Sequence, residues 1–230
     1  MAAPLAARRQ VVEVCRRLYE RGLIAGQGGN VSVRLATNRI LVTPAGMSKV
    51  DVGTDDLVEI SLAGTPQRGA HRASSEVLVH LRAYQRRADV HAVVHAHPPT
   101  ATGFAVAGES FSDCVLPELV YQLGHVPLVP YATPGTEALA DQFEPWLATH
   151  DAFLMANHGA LTLGPTLLLA HQRMESLEHA AKIVLTARLL GRVTKLTPAQ
   201  IDALIDSRLQ SSGLGVHPGC PPGTEPRRAR

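Results

Sequence analysis

Long apolar runs, paired cysteines, blocks of like charge and internal repeats are all missing from this 230-residue sequence, and each absence removes a class of protein. No stretch approaches the roughly 20 apolar residues of a membrane span, so no membrane partner is expected. The amino-terminal residues Met1 to Arg9 hold no apolar core of signal-peptide length. Cys15, Cys114 and Cys220 show no paired spacing; an odd, unpaired set points to reduced thiols and so to the cytoplasm. The formal net charge is only +2, and no basic block precedes the last four residues, so electrostatics offers no case for a nucleic-acid partner.

What is present suits one domain of ordinary size. Hydrophobic residues make up 45% of the chain, enough for a substantial core, whereas two full domains would be cramped. The expected domain spans 1–210. Residues 211–230 are rich in Gly, Pro and Arg and are expected to form a flexible tail or an oligomer arm, having too few apolar groups to offset their ordering entropy.

Periodicity places the elements. Leu5 to Leu23 reads as an amphipathic helix, Val31 to Leu35 and Arg39 to Thr43 as a hairpin, and Leu57 to Leu62 as a further strand. A helix begins near Ser74-Ser75 and runs to about Arg87. After Pro98-Pro99 the pattern predicts a short helix, a polar loop, a strand from His125 to Val129 and a helix from Thr136 to about Leu147. A strand over Ala152 to Met155, a long helix from Leu167 to Leu190 and a last helix from Pro198 to Leu209, with Thr197 as its cap, complete the chain.

His95-Ala96-His97 closes the apolar run that starts at Val90. Alternate side chains of a strand share a face, so the two imidazoles converge, and Pro98-Pro99 stop the strand just beyond them. Alone, such a pair is as compatible with packed or surface rings as with a metal. His158, in Asn157-His158-Gly159 after the second apolar run, is the best third ligand. Three histidines leave a coordination position open, the mark of a catalytic centre.

Gly26-Gln27-Gly28-Gly29-Asn30 follows a helix and opens a strand, the reverse of a dinucleotide fingerprint. Its free amides, with those of Thr43-Pro44-Ala45-Gly46 and with Ser74-Ser75 at a helix start, suit an anion. Each segment alone reads rather as a turn or a cap, and only their convergence on one site argues for phosphate. Glu76, in the first turn of the same helix, either places a base beside a bound phosphate or complements the helix dipole. His80 is either packed or supports Glu76.

The ordered set Gly28-Gly29-Asn30-Val31-Ser32-Val33-Arg34, Thr43-Pro44-Ala45-Gly46, Ser74-Ser75-Glu76, His95-Ala96-His97, Pro130-Tyr131-Ala132-Thr133-Pro134-Gly135-Thr136 and Asn157-His158-Gly159 resembles the class II aldolase/adducin family over most of residues 5–209. The resemblance implies an α/β fold, three-layer α/β/α around a largely antiparallel sheet, and a homotetramer with active sites at subunit interfaces. It implies His95, His97 and His158 as metal ligands, Zn2+ in the usual case with Mn2+ or Co2+ as substitutes. Glu76 then matches the catalytic acid/base that also ligates the metal without substrate. Gly29, Asn30, Ala45, Gly46, Ser74 and Ser75 match the segments that hold the substrate phosphate. Ala45 stands where the family often has a hydroxyl, a loss of about 1.5–3 kcal/mol for a hydrogen bond to a charged group. A proton-donating tyrosine from a neighbouring subunit has only Tyr121 and Tyr131 as candidates.

The implied activity is reversible cleavage of a ketose 1-phosphate, of the L-fuculose 1-phosphate or 5-deoxy- or methylthio-ribulose 1-phosphate kind, to dihydroxyacetone phosphate and an aldehyde through a metal-stabilised enediolate. Epimerisation, dehydration or decarboxylation within the same family, and a non-catalytic adducin-like interaction module, are the alternatives.

Overall fold

The computed structural model describes residues 3–110, 114–211, 216–220 and 227–228. Helix α1 (Leu5–Glu20) precedes strands β1 (Asn30–Ala36), β2 (Arg39–Val42), β3 (Val58–Ile60) and β4 (Pro66–Arg68). Helix α2 (Val77–Arg86) leads to β5 (Ala92–Ala96), α3 (Pro99–Val106), α4 (Pro117–Gln122), β6 (Leu128–Val129), α5 (Glu137–Asp141) and α6 (Glu144–Leu147). Then come β7 (Ala152–Met155), β8 (Gly159–Gly164), α7 (Leu167–Leu189), α8 (Pro198–Ser211) and the short pair β9 (Val216–His217) and β10 (Arg227–Arg228).

Eight strands form one sheet in the order β4-β3-β2-β1-β5-β8-β7-β6, antiparallel except where β6 runs parallel to β7. Alternation gives each central strand two buried faces. On one face, Val31 of β1, Val94 and Ala96 of β5 and Leu154 of β7 pack with α1, α3 and α7. On the other, Ile40 of β2, Val93 of β5, Phe153 of β7 and Leu161 of β8 pack with α2, α5 and α6. Helices on both faces of a largely antiparallel sheet make the three layers that the resemblance implies.

Several elements depart from the sequence reading. Strand β8 is fully buried and pairs with both β5 and β7; the pattern alone shows only the strand before it. β4 is exposed throughout and polar, without a hydrophobic signal. The polar loop contains α4. The expected helix over 136–147 breaks into α5 and α6, with Pro145 in the first turn of the second, where its missing N–H costs nothing.

The expectation of three unpaired cysteines fails. Cys114 and Cys220 form a disulfide across a separation of 106 residues, leaving Cys15 as the free, buried thiol. The tail is held at its described residues: β9 pairs with β10, His217 Nε2 donates to the Val120 carbonyl at 2.6 Å, and Arg227 is 3.1 Å from Asp202. A covalent tie restricts the unfolded chain and so lowers the ordering entropy that has to be offset.

Candidate active site

β5 delivers the first imidazole and its end the second. His95 shares the face of Val93, which packs towards α2, so the ring points at the start of that helix. His97 lies just past the strand, where its N–H donates to the Leu23 carbonyl at 2.9 Å. The third ring comes from the turn joining β7 to β8. Asn157 holds a left-handed φ of +56° there, a conformation asparagine tolerates better than most residues. Gly159 is required by crowding: a Cβ would lie 2.5 Å from the Ala96 carbonyl oxygen and 2.6 Å from His97 Cδ2.

The ligand atoms of His95, His97 and His158 all lie within 4.8 Å of one another. Glu76, at the start of α2, joins them, with Oε2 2.9 Å from His95 Nε2 and Oε1 3.3 Å from His158 Nε2. His95 Nδ1 is 2.9 Å from the Ala160 carbonyl; a carbonyl only accepts, so Nδ1 carries a proton. A neutral His95 ring therefore turns a lone pair towards both the Glu76 carboxylate and His97 Nε2, 3.1 Å away. Acceptors so placed repel unless a cation lies among them, and a backbone carbonyl behind the ring is the usual device for orienting a metal-binding imidazole. The donor set thus fits a divalent cation.

Burial, then the neighbouring His95 and His158, push His97 down to about 4, which keeps it neutral near pH 7 as a ligand must be. Burial raises the Glu76 carboxyl, but the adjoining rings of His158 and His95 outweigh it and hold the group well below the carboxylate range. Asn30 Nδ2 donates to Glu76 Oε2 at 3.2 Å. His80 is packed: it is buried and bonds through Nδ1 to Ser32 Oγ at 2.7 Å.

Beside this cluster lies a cavity of about 190 Å³ whose wall combines all three glycine, turn and serine segments with Glu76 and His97. An isolated bridge between Pro44 and Ala73 and the Ser74 N–H to Thr43 carbonyl bond (3.2 Å) hold two of those segments together. The amides of Gly29, Gly46 and Ser75 have no acceptor among the described residues, so three donors are free for an anion. Ala45 differs from the expectation: it lines the cavity, but its N–H is committed to the Arg72 carbonyl at 2.9 Å. Neither Tyr121 nor Tyr131 lines the cavity. Lys49 does, and the motif reading missed it; a lysine after a turn reads as a solvated charge, yet this one is 3% exposed. Its scarcity, one of three lysines in the chain, was the available signal.

The model of the class II aldolase and adducin N-terminal domain matches residues 9–185. The 3-oxo-tetronate 4-phosphate decarboxylase of Haemophilus influenzae is 34% identical, over 79% of this chain and 88% of that protein. The L-fuculose phosphate aldolase of Methanocaldococcus jannaschii is 32% identical, over 77% of this chain and 95% of that protein. A solved L-fuculose 1-phosphate aldolase superposes with a TM-score of 0.84 at 29% identity, covering 90% of this chain and 97% of the other. With its sheet order, its histidine cluster and a family match over most of its length, the chain belongs to the class II aldolase and adducin N-terminal domain family.

Proposed function

We propose that the chain is a divalent-metal-dependent carbon–carbon lyase that cleaves a small ketose 1-phosphate to dihydroxyacetone phosphate and an aldehyde. One observation carries the reading: the three imidazoles and Glu76 adjoin a cavity lined with uncommitted amides, so a cation and an anion-binding wall stand side by side. His95, His97 and His158 would hold the cation, with Glu76 completing the set before substrate arrives. Imidazole nitrogens with a carboxylate favour Zn2+, with Mn2+ or Co2+ able to substitute. When bound, a divalent cation supplies Lewis-acid stabilisation of the negative charge left on oxygen when a bond beside a ketone breaks.

The chain's own residues do the rest. The Gly29, Gly46 and Ser75 amides, the Asn30 side chain and the Ser74 and Ser75 hydroxyls bind the phosphate and so fix the three-carbon end of the substrate. Glu76 moves a proton to and from the carbon that loses the aldehyde.

Decarboxylation is a second reading, favoured by the 34% identity to a 3-oxo-tetronate 4-phosphate decarboxylase. Loss of carbon dioxide from such a keto acid breaks the bond at the equivalent carbon and leaves the same three-carbon phosphate, so both readings use one site. A coupled assay for dihydroxyacetone phosphate, run on ketose 1-phosphates and on 3-oxo-tetronate 4-phosphate, decides between them. Chelator-sensitive release with an aldehyde supports the first reading, release with carbon dioxide the second, and no release from metal-loaded protein overturns both and leaves epimerisation, dehydration or a non-catalytic module.

The same proposal includes a homotetramer with interfacial sites. Exposed Leu189, Leu190 and Val106 at the ends of α7 and α3 offer apolar surface for subunit contact, and sedimentation velocity tests it. It also places the protein in the cytoplasm, where membrane-impermeant sugar phosphates are retained. No helix among the described residues is long and apolar enough to cross a membrane.

A further inference from the structure

Lys49 is buried while both other lysines, Lys182 and Lys195, are exposed. Its Nζ donates to the Gln27 carbonyl at 2.9 Å and the Met47 carbonyl at 2.8 Å. Those carbonyls belong to the glycine loop and to the turn after β2, two segments of the cavity wall. An ammonium carries three protons, and the third has no acceptor among the described residues. Both partners are neutral, and the sole carboxylate on the cavity wall among the described residues, Glu76, is engaged by His95 and His158. A buried cation without its own counter-charge is costly, and an anionic ligand bound beside it would offset that cost.

We propose that Lys49 is the charged specificity determinant of the cavity: it pins the glycine loop to the following turn and presents its remaining N–H to the dianionic phosphate of the substrate. The inference rests on the phosphate reading above and deepens it. It also accounts for Ala45. A family hydroxyl lost at that position is replaced by a point charge four residues on, which binds a dianion more strongly than a neutral donor does. A neutral sugar is rejected because it leaves the ammonium without a counter-charge.

The test uses inorganic phosphate as the probe. Calorimetric titration of the zinc-loaded full chain is compared with Lys49→Met, which keeps the unbranched stem as far as Cε without the charge. In parallel, the 15N signals of labelled lysine side chains are followed in the unmodified protein; with three lysines, the buried one is identified by its slow exchange with water. The expected result is phosphate binding at least tenfold weaker in Lys49→Met, and a shift of the Lys49 Nζ signal on adding phosphate. A role confined to holding the loops would weaken binding without moving that signal. Equal binding by the variant, or an unmoved Nζ signal, overturns the role of Lys49 and leaves the phosphate reading intact. Absence of phosphate binding by the unmodified protein overturns both. If Lys49→Met does not fold, the Nζ signal of the unmodified protein decides alone.

Discussion

Gly159 has no room for even a methyl group, because the nearest atom to an added Cβ is the backbone oxygen of Ala96, which cannot rotate away. Relief would have to part β5 from β8, which overpacking predicts to cost about 1–3 kcal/mol. Gly159→Ala should therefore lower the urea midpoint of metal-free protein and, by shifting His95 and His97 against His158, weaken zinc affinity by about 10–100-fold; an unchanged midpoint with unchanged affinity contradicts the crowding argument. A second residue-scale effect lies far from the site. His150 is 7% exposed, and burial followed by the charge of His125 pushes it down to about 4. Below its unfolded value of about 6.5 the unfolded chain takes up a proton that the folded chain refuses, so this contribution to stability is present at pH 7 and is lost as pH falls from 6.5 towards 4. Denaturation at pH 7.5 and at pH 4.5 should show His150→Gln losing about 2–3 kcal/mol less over that interval than the unmodified protein. The histidine pair was legible because strand parity is a property of local sequence, and so was Glu76 beside its serines. The burial of Lys49 was not, since it depends on two loops meeting above it.

At the scale of elements, Asp151 fastens the end of α2 to α7 at the mouth of β7. Its carboxylate lies 3.0 Å from Arg87 and 2.7 Å from Arg173, which is 1% exposed. Arg173 also donates to the Leu163 carbonyl at 2.6 Å, so the guanidinium bridges both strands of the hairpin that carries His158. Asp151→Asn leaves a buried guanidinium without its counter-charge and should cost about 3–5 kcal/mol in equilibrium unfolding; a loss below 1 kcal/mol would show that the pair is not the anchor of this corner. Elements with a strong period, such as α1 and α2, were visible in the sequence, and α7 was visible through its length, bounded by Thr166 and Gly191. β8 was not: Ala160-Leu161-Thr162-Leu163 is buried on both faces, so it shows no alternation to separate it from the turn that precedes it. β4 escaped for the opposite reason, being an exposed edge without apolar residues.

Across the whole molecule, the Cys114–Cys220 bond and the sheet order are the long-range features that no local pattern announces. Thiol titration in denaturant without reductant should find one thiol, from Cys15, and three after reduction; three before reduction would remove the tie on the tail. The bond also sits against the cytoplasmic placement, because disulfides persist mainly in oxidising compartments, and the same titration on protein alkylated at cell lysis tests that placement. The sheet order has a consequence for biosynthesis. His95 and His97 belong to the first half of the chain, whereas His158 and the Ala160 carbonyl that orients His95 arrive with the β7–β8 hairpin and meet β5 only as the sheet closes. A nascent chain that has emerged only as far as α6 holds two of the three imidazoles in no fixed relation, so the ribosome must release about two thirds of the protein before any ion can be captured at full affinity. Metal uptake thereby becomes a checkpoint on completed folding, and a truncated product is left without the centre that would make it reactive.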